Sequence, residues 1–292
     1  MVAGRSLDGL AEGPAPKPLW RRARRAVVRS ASAAHDHWLI RRDGTYRRLA
    51  SAYELPDGSR RVYCYHVRKT AGTSLFLSFL ALGGEDPFAV WGRINRARLK
   101  RTTSGPYAFA SDNRRVLAEG AYLFGRSHRR ASDQPLPSRT YTVTVLRDPA
   151  ERVHSLYDYL VAGDEPGLPG RVSARDRRLA LGGFDAFLDR IPRHYLLTQL
   201  AMFSDRLDVG EAADRIAACS FVFTTARFAD GLAELGRRLD LDLEPQRARV
   251  TAQHSELSEA QRERLRERLA PEYELLRRLE AAGVTGGPGR AS

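Results

Sequence analysis

The sequence predicts an α/β protein with a central, mostly parallel sheet flanked by helices. Three observations carry this reading. Short β-branched or aromatic runs alternate with amphipathic helical runs, the order that parallel strands joined by crossover helices require. Two of those runs pass directly into polar loops that open helices. The chain has 292 residues, 42% of them hydrophobic, which suffices for one large core.

Taken in order, the first 35 residues form a basic arm. Its start holds Gly and Pro without periodicity and reads as disordered, while Pro18 to Ser32 is strongly basic around Trp20 and offers a weak contact with an anionic surface. A single domain is expected over 36–282, followed by a loose, Gly-rich tail over 283–292. His37 to Leu55 alternates around Arg42-Asp43-Gly44-Thr45 and reads as a hairpin. Arg61 to Val67 is the first core strand, and Ser74 to Leu82 the helix after it. The region 85–120 is mixed and gives no clear periodicity, with cations at Arg93, Arg96, Arg98, Lys100 and Arg101. Tyr122 to Gly125 and Arg139 to Leu146 read as strands. Gly163 to Gly170, with three glycines and two prolines, is a loop. Phe184 to Leu188, Tyr195 to Phe203, Gly210 to Ala218, Phe228 to Leu239 and Ser255 to Leu279 read as helices, with a strand at Ser220 to Thr224.

Two segments carry chemistry. In Tyr63-Cys64-Tyr65-His66-Val67-Arg68-Lys69-Thr70-Ala71-Gly72-Thr73-Ser74 an apolar strand ends in a cationic, hydroxyl-bearing loop at a helix start. Backbone amides and the positive helix end then converge on one spot, an anion site. Gly72 permits close backbone approach, Lys69 supplies a point charge, and the hydroxyls of Thr70, Thr73 and Ser74 supply donors. It is not a Walker A loop, in which lysine directly follows the second glycine. In the second segment a strand runs into Arg147-Asp148-Pro149-Ala150-Glu151-Arg152-Val153-His154-Ser155. Asp148 and Pro149 suit a helix cap and first turn. Arg147 and Ser155 are set to grip a phosphate from two sides, the guanidinium as a bidentate fork.

Together, His-Val-Arg-Lys-Thr-Ala-Gly-Thr-Ser at 66–74 and Arg-Asp-Pro-x-x-Arg-x-x-Ser at 147–155 resemble the two nucleotide-binding motifs of sulfotransferases that use 3′-phosphoadenosine 5′-phosphosulfate (PAPS). The carbohydrate-type branch is the nearest likeness, though Val67-Arg68 stands where that branch has Ile-Pro. The resemblance spans about residues 60–280, and only these two segments are sharp. It implies a P-loop-like, nucleotide-binding sulfotransferase fold. It also implies PAPS as sulfuryl donor with no metal. Arg68, Lys69, Thr70, Ala71, Gly72, Thr73 and Ser74 would lie around its 5′-phosphosulfate, and Arg147 and Ser155 around its 3′-phosphate. Arg152 takes a structural part, pairing with Asp148 or Asp158. Many relatives carry a Glu after a later strand, where this chain has Thr224-Thr225-Ala226-Arg227.

The implied reaction is in-line sulfuryl transfer to a hydroxyl of a carbohydrate, glycolipid or secondary metabolite, with Lys69 meeting the charge that the leaving group gains. His128 follows a predicted strand and is the expected general base, although relatives place the histidine directly after glycine. Glu85 and Asp86 are alternative bases. His66 is expected to pack below the loop, His154 to pack, and His194 has no assigned part.

Composition bounds the rest. Net charge is +13 and the isoelectric point about 10.3, which favours anionic partners. Arginine greatly outnumbers lysine, a usage that GC-rich bacterial coding also produces. Cys64 and Cys219 lie in apolar stretches and read as free thiols. There is no apolar run of about 18 residues, no signal-peptide core and no zinc spacing, so a cytoplasmic enzyme without a membrane span is expected. A kinase or other phosphate-transfer enzyme is the alternative, but it would want a Walker-type lysine. Nucleic-acid binding would want aromatics interleaved with the scattered arginines, and is not expected.

Overall fold

The computed structural model describes residues 34–163, 172–246 and 255–285. The expected basic arm at Pro18 to Ser32, most of the loop after Gly163 and the end of the tail lie outside them. The chain divides into two compact units, Met1–Asp43 and Gly44–Ser292. The first contributes a helix over 34–42 to the described residues.

The expected hairpin at 37–55 is therefore corrected: helix fills 34–42, and Gly44–Ser51 forms helix α1 of the second unit. The reason lies in spacing. Tyr46, Leu49 and Ala50, at spacings of three and four, lie on one face of the helix and join one core cluster, as a helical period places them.

Six strands form the sheet of the second unit, in the order β2-β3-β4-β1-β5-β6. They are β1 (Arg61–Tyr65), β2 (Arg101–Ser104), β3 (Tyr107–Ser111), β4 (Phe124–Ser127), β5 (Thr140–Leu146) and β6 (Phe221–Thr224). All neighbours are parallel except β2 and β3, an antiparallel hairpin. That hairpin turns at Gly105-Pro106 and follows helix α3 (Pro87–Arg96), with α2 (Gly72–Ala81) before it and α4 (Arg114–Glu119) after. The sequence left this region unread.

Successive strand residues face opposite ways, and both faces are covered. Val62, Cys64, Val143 and Phe223 join one core cluster with Leu75, Phe76 and Phe79 of α2, Val90, Trp91 and Ile94 of α3, and Leu232 and Leu235 of α11 (Phe228–Leu239). Leu146 and Val222 join the other, with Val153, Leu156 and Leu160 of α5 (Pro149–Ala162) and Leu265, Leu269, Leu275 and Leu279 of α12 (Glu259–Ala281). Between α5 and α12 in sequence lie α6 (Ala174–Ala180), α7 (Gly183–Arg190), α8 (Arg193–Leu196), α9 (Thr198–Phe203) and α10 (Val209–Ala217) before β6. The single helix expected over Tyr195 to Phe203 is broken at Leu197 (φ −101°, ψ 50°). Strands buried on both faces by helices are what parallel pairing requires. Among the described residues no helix is long and apolar enough to cross a membrane.

Candidate functional site

β1 and β5 are neighbours, so the loops at their C-terminal ends open on the same edge of the sheet. Ligands of open parallel sheets sit at this edge. Lys69 and Arg147 meet here although 78 residues separate them: an Nη1–H of Arg147 donates to the Lys69 carbonyl at 3.4 Å.

The loop after β1 is held in an uncommon shape. Lys69 (φ 66°) and Ala71 (φ 57°) both take left-handed conformations. Such conformations cost about 1–3 kcal/mol each for side-chain-bearing residues and concentrate where a backbone is shaped around a ligand. Turns of this kind aim backbone amides into a common hollow, the geometry of an anion nest. No side chain caps α2, whose N-cap is Ala71. By contrast Asp86, Asn113 and Asp148 cap α3, α4 and α5. No side-chain acceptor therefore competes for the first-turn amides of α2.

Thr70 departs from the expected role of its hydroxyl. That group donates to the Val67 carbonyl at 3.0 Å, and the residue is 1% exposed, so the hydroxyl closes the loop from inside. Lys69 points along α5, its Nζ 4.6 Å from the Tyr159 ring centroid. The Arg68 guanidinium lies 5.5 Å from the Tyr195 ring centroid.

Below the loop is a stacked pair of histidines. The rings of His66 and His128 are 4.2 Å apart at 32°. Buried Arg126, lying 4.0 Å over the Phe76 ring, places Nη1 2.8 Å from His66 Nδ1. A guanidinium only donates, so His66 Nδ1 accepts and its proton sits on Nε2. His128 Nδ1 is 2.7 Å from the His66 carbonyl, which only accepts, so in the neutral ring the lone pair is on Nε2. Crowding by protein pushes the His128 pKa down, toward about 4; Asp112 opposes this, while Arg126 and Arg68 add to it. The residue is nevertheless exposed to solvent, which tempers the shift without reversing it, and the ring is neutral at pH 7.

On the other side, Arg147 stands between β5 and α5. Its Nε–H donates to Glu151 at 3.2 Å. Glu151, Ser155 and Tyr159 follow at intervals of four and share one face of α5. A cavity of about 620 Å³ joins these parts, within the usual range of small-molecule sites. Its wall contains Arg68, Lys69, Ala71, Gly72, Thr73, Ser74, His128, Arg147 and Ser155, all the site residues expected from the sequence except Thr70. Arg126, Trp91, Asn95, Asp112, Glu151 and Tyr159 also line it, and the sequence had not assigned them there. Thr225 and Ala226, which follow β6, line it too. A smaller pocket of about 180 Å³ shares His66, Arg68 and His128 and is completed by Arg130, His194, Tyr195, Thr198, Ala201 and Met202.

The alternative bases are employed elsewhere. Asp86 caps α3, accepting from the amides of Phe88 (3.1 Å) and Ala89 (3.2 Å), and Glu85 binds Arg93 through both oxygens. His154 bonds Ser255 at 2.8 Å. Arg152, expected to pair with Asp148 or Asp158, pairs instead with Glu272 at 3.2 Å, both side chains fully buried. Burial raises the thiol pKa of Cys64 to about 12, and among the described residues both cysteines are free.

The arrangement can seat an elongated anion. One end would meet the amides of α2 and Lys69, the other Arg147 and Ser155, with a neutral imidazole beside it. No protein-family model matches the chain, and no curated protein matches its sequence.

Proposed function

We propose that the protein is a PAPS-dependent sulfotransferase acting on a hydroxyl of a small-molecule or glycan acceptor, built on a P-loop-like nucleotide-binding fold. One observation carries the reading: two sequence motifs with independent resemblance to nucleotide-gripping segments end on adjacent parallel strands and line one cavity. Charge favours it as well, since the cations Arg68, Lys69, Arg126 and Arg147 face the cavity beside the positive end of α2.

PAPS, when bound, supplies the sulfuryl group, and the nucleotide 3′,5′-bisphosphate departs. The residues of the chain fit such a donor. Uncapped amides at 72–74 and the ammonium of Lys69 would hold its 5′ end and stabilise the charge gained there. Arg147 and Ser155 would hold the 3′-phosphate. An acceptor entering through the smaller pocket would reach His128, which lines both spaces. With Nδ1–H committed to the His66 carbonyl, Nε2 of His128 would take the acceptor proton. Anion binding offsets the nearby arginines that depress His128, and so makes it a stronger base when the donor is present.

Calorimetric titration with 3′-phosphoadenosine 5′-phosphate, beside ATP with magnesium, tests the reading. Binding that requires the 3′-phosphate, and that falls about 10- to 150-fold in Lys69→Ala or Arg147→Ala, is expected from the loss of a charge-assisted contact of about 1.5–3 kcal/mol. A preference for ATP with magnesium would instead place the chain among phosphate-transfer enzymes.

A further inference from the structure

Arg147 follows the last residue of β5, just beyond the sheet. The ladder with β1 ends at Tyr65 and Thr144, and that with β6 at Leu146 and Thr224. Its backbone is nevertheless bonded on both sides by one amide side chain. The Arg147 N–H donates to Gln199 Oε1 at 2.8 Å, and Gln199 Nε2 donates to the Arg147 carbonyl at 3.0 Å. Gln199 thus supplies what one more strand residue would have supplied. Its orientation follows from the partners, because a backbone amide demands an acceptor and a carbonyl a donor.

Gln199 is itself held. Its Nε2 also donates to Glu272 Oε2 at 3.2 Å, and its backbone N–H donates to Glu272 Oε1 at 2.7 Å. The Leu200 amide reaches the same Oε1 at 3.3 Å, so this carboxylate caps the start of α9. Arg152 closes the group by donating to Glu272 and to the Leu196 carbonyl. Gln199, Glu272 and Arg152 are all fully buried. A buried polar group of this density restricts the backbone to one arrangement.

We propose that Gln199, seated by Glu272, is the positioning residue for Arg147, and that Arg152 serves this anchor rather than the ligand. The proposal rests on the reading of Arg147 as an anion ligand. Without the two bonds from Gln199, the Arg147 backbone would be tied only by its flanking residues, and the guanidinium would lose its fixed approach to the cavity.

The test is a double-variant cycle of Gln199→Met, which keeps similar volume, with Arg147→Ala. Calorimetry would use 3′-phosphoadenosine 5′-phosphate, adenosine 5′-phosphate and inorganic pyrophosphate as probes. Gln199→Met is expected to weaken binding of the bisphosphate about 10- to 100-fold, to leave adenosine 5′-phosphate unchanged, and to add nothing in the Arg147→Ala background. Equal weakening of both nucleotides, or additive losses in the double variant, would overturn the positioning role. If the native chain binds pyrophosphate but neither nucleotide, the sulfotransferase reading fails, and the same cycle run on pyrophosphate still decides Gln199. If it binds none of the three, the proposal falls with the reading of Arg147. Should Gln199→Met not fold, amide hydrogen exchange at Arg147 in the native chain decides: strong protection supports the anchor, and free exchange refutes it.

Discussion

The space for a side chain at position 72 is taken by the His66 imidazole. A Cβ there would stand 2.1 Å from His66 Cδ2 and 2.5 Å from Nε2. The ring cannot easily yield, since Arg126 holds its Nδ1 and His128 stacks on it. Gly72→Ala should therefore destabilise the fold by about 1–3 kcal/mol, the usual cost of forcing extra volume into a packed site. It should also weaken anion binding, because relief must come from the loop that carries Lys69 and Ala71. Thermal unfolding and calorimetry on one variant read both effects. Unchanged anion affinity would mean that the loop does not feel the ring. From the sequence, Gly72 was legible as a point of close approach, but to a ligand; that the crowding neighbour is His66 depends on where β4 places Arg126 and His128, which no local pattern records.

At the scale of elements, α5 and α12 meet through Arg152 and Glu272. Glu272 directly follows Pro271, a helix-interior proline that carries no amide hydrogen. Glu272→Ala would leave the Arg152 guanidinium buried without its counter-charge, and should cost about 3–5 kcal/mol in urea unfolding. A loss below about 1 kcal/mol would show that the pair is dispensable. The strands β1 and β5 and the helix α5 could be read in advance, because their apolar period and the Asp148-Pro149 start are local signals. The helices at 34–51 could not, because polar residues around Asp43-Gly44 imitate a turn and the spacing that argues for helix, at Tyr46, Leu49 and Ala50, begins only after it. Gln199 and Glu272 gave no signal at all. They lie 52 and 125 residues beyond Arg147 by position in the chain, and nothing around either marks a polar residue for burial.

Across the whole molecule, acid should act in two stages. In the folded chain desolvation, and after it Arg126 and Arg68, push the His128 pKa below its ordinary 6.5, toward about 4, and the exposure of the residue to solvent tempers that depression. Between those values the unfolded chain holds the extra proton, so stability is full above about 6.5 and falls as pH drops toward about 4. Carboxylates that arginines hold below their ordinary values, Glu85, Asp205, Glu234 and Glu274, act only under more acid conditions, and since none of them is buried they act weakly. Replacing His128 by Gln should flatten the upper stage of the melting-temperature profile and leave the lower one. An unchanged slope between pH 6.5 and 4 would assign that stage to other groups.

The contact between Arg147 and the Lys69 carbonyl has a thermodynamic consequence. The two halves of the anion site come from strands that become neighbours only when β1 and β5 have paired, so the unfolded chain offers no comparable grip. Whatever fills the cavity is thus a folding cofactor by mass action: at one hundred times its dissociation constant it adds about 2.7 kcal/mol to the stability of the native state. In a cell rich in such a ligand, the protein would persist longer than the bare chain, and its lifetime would report the supply of that ligand.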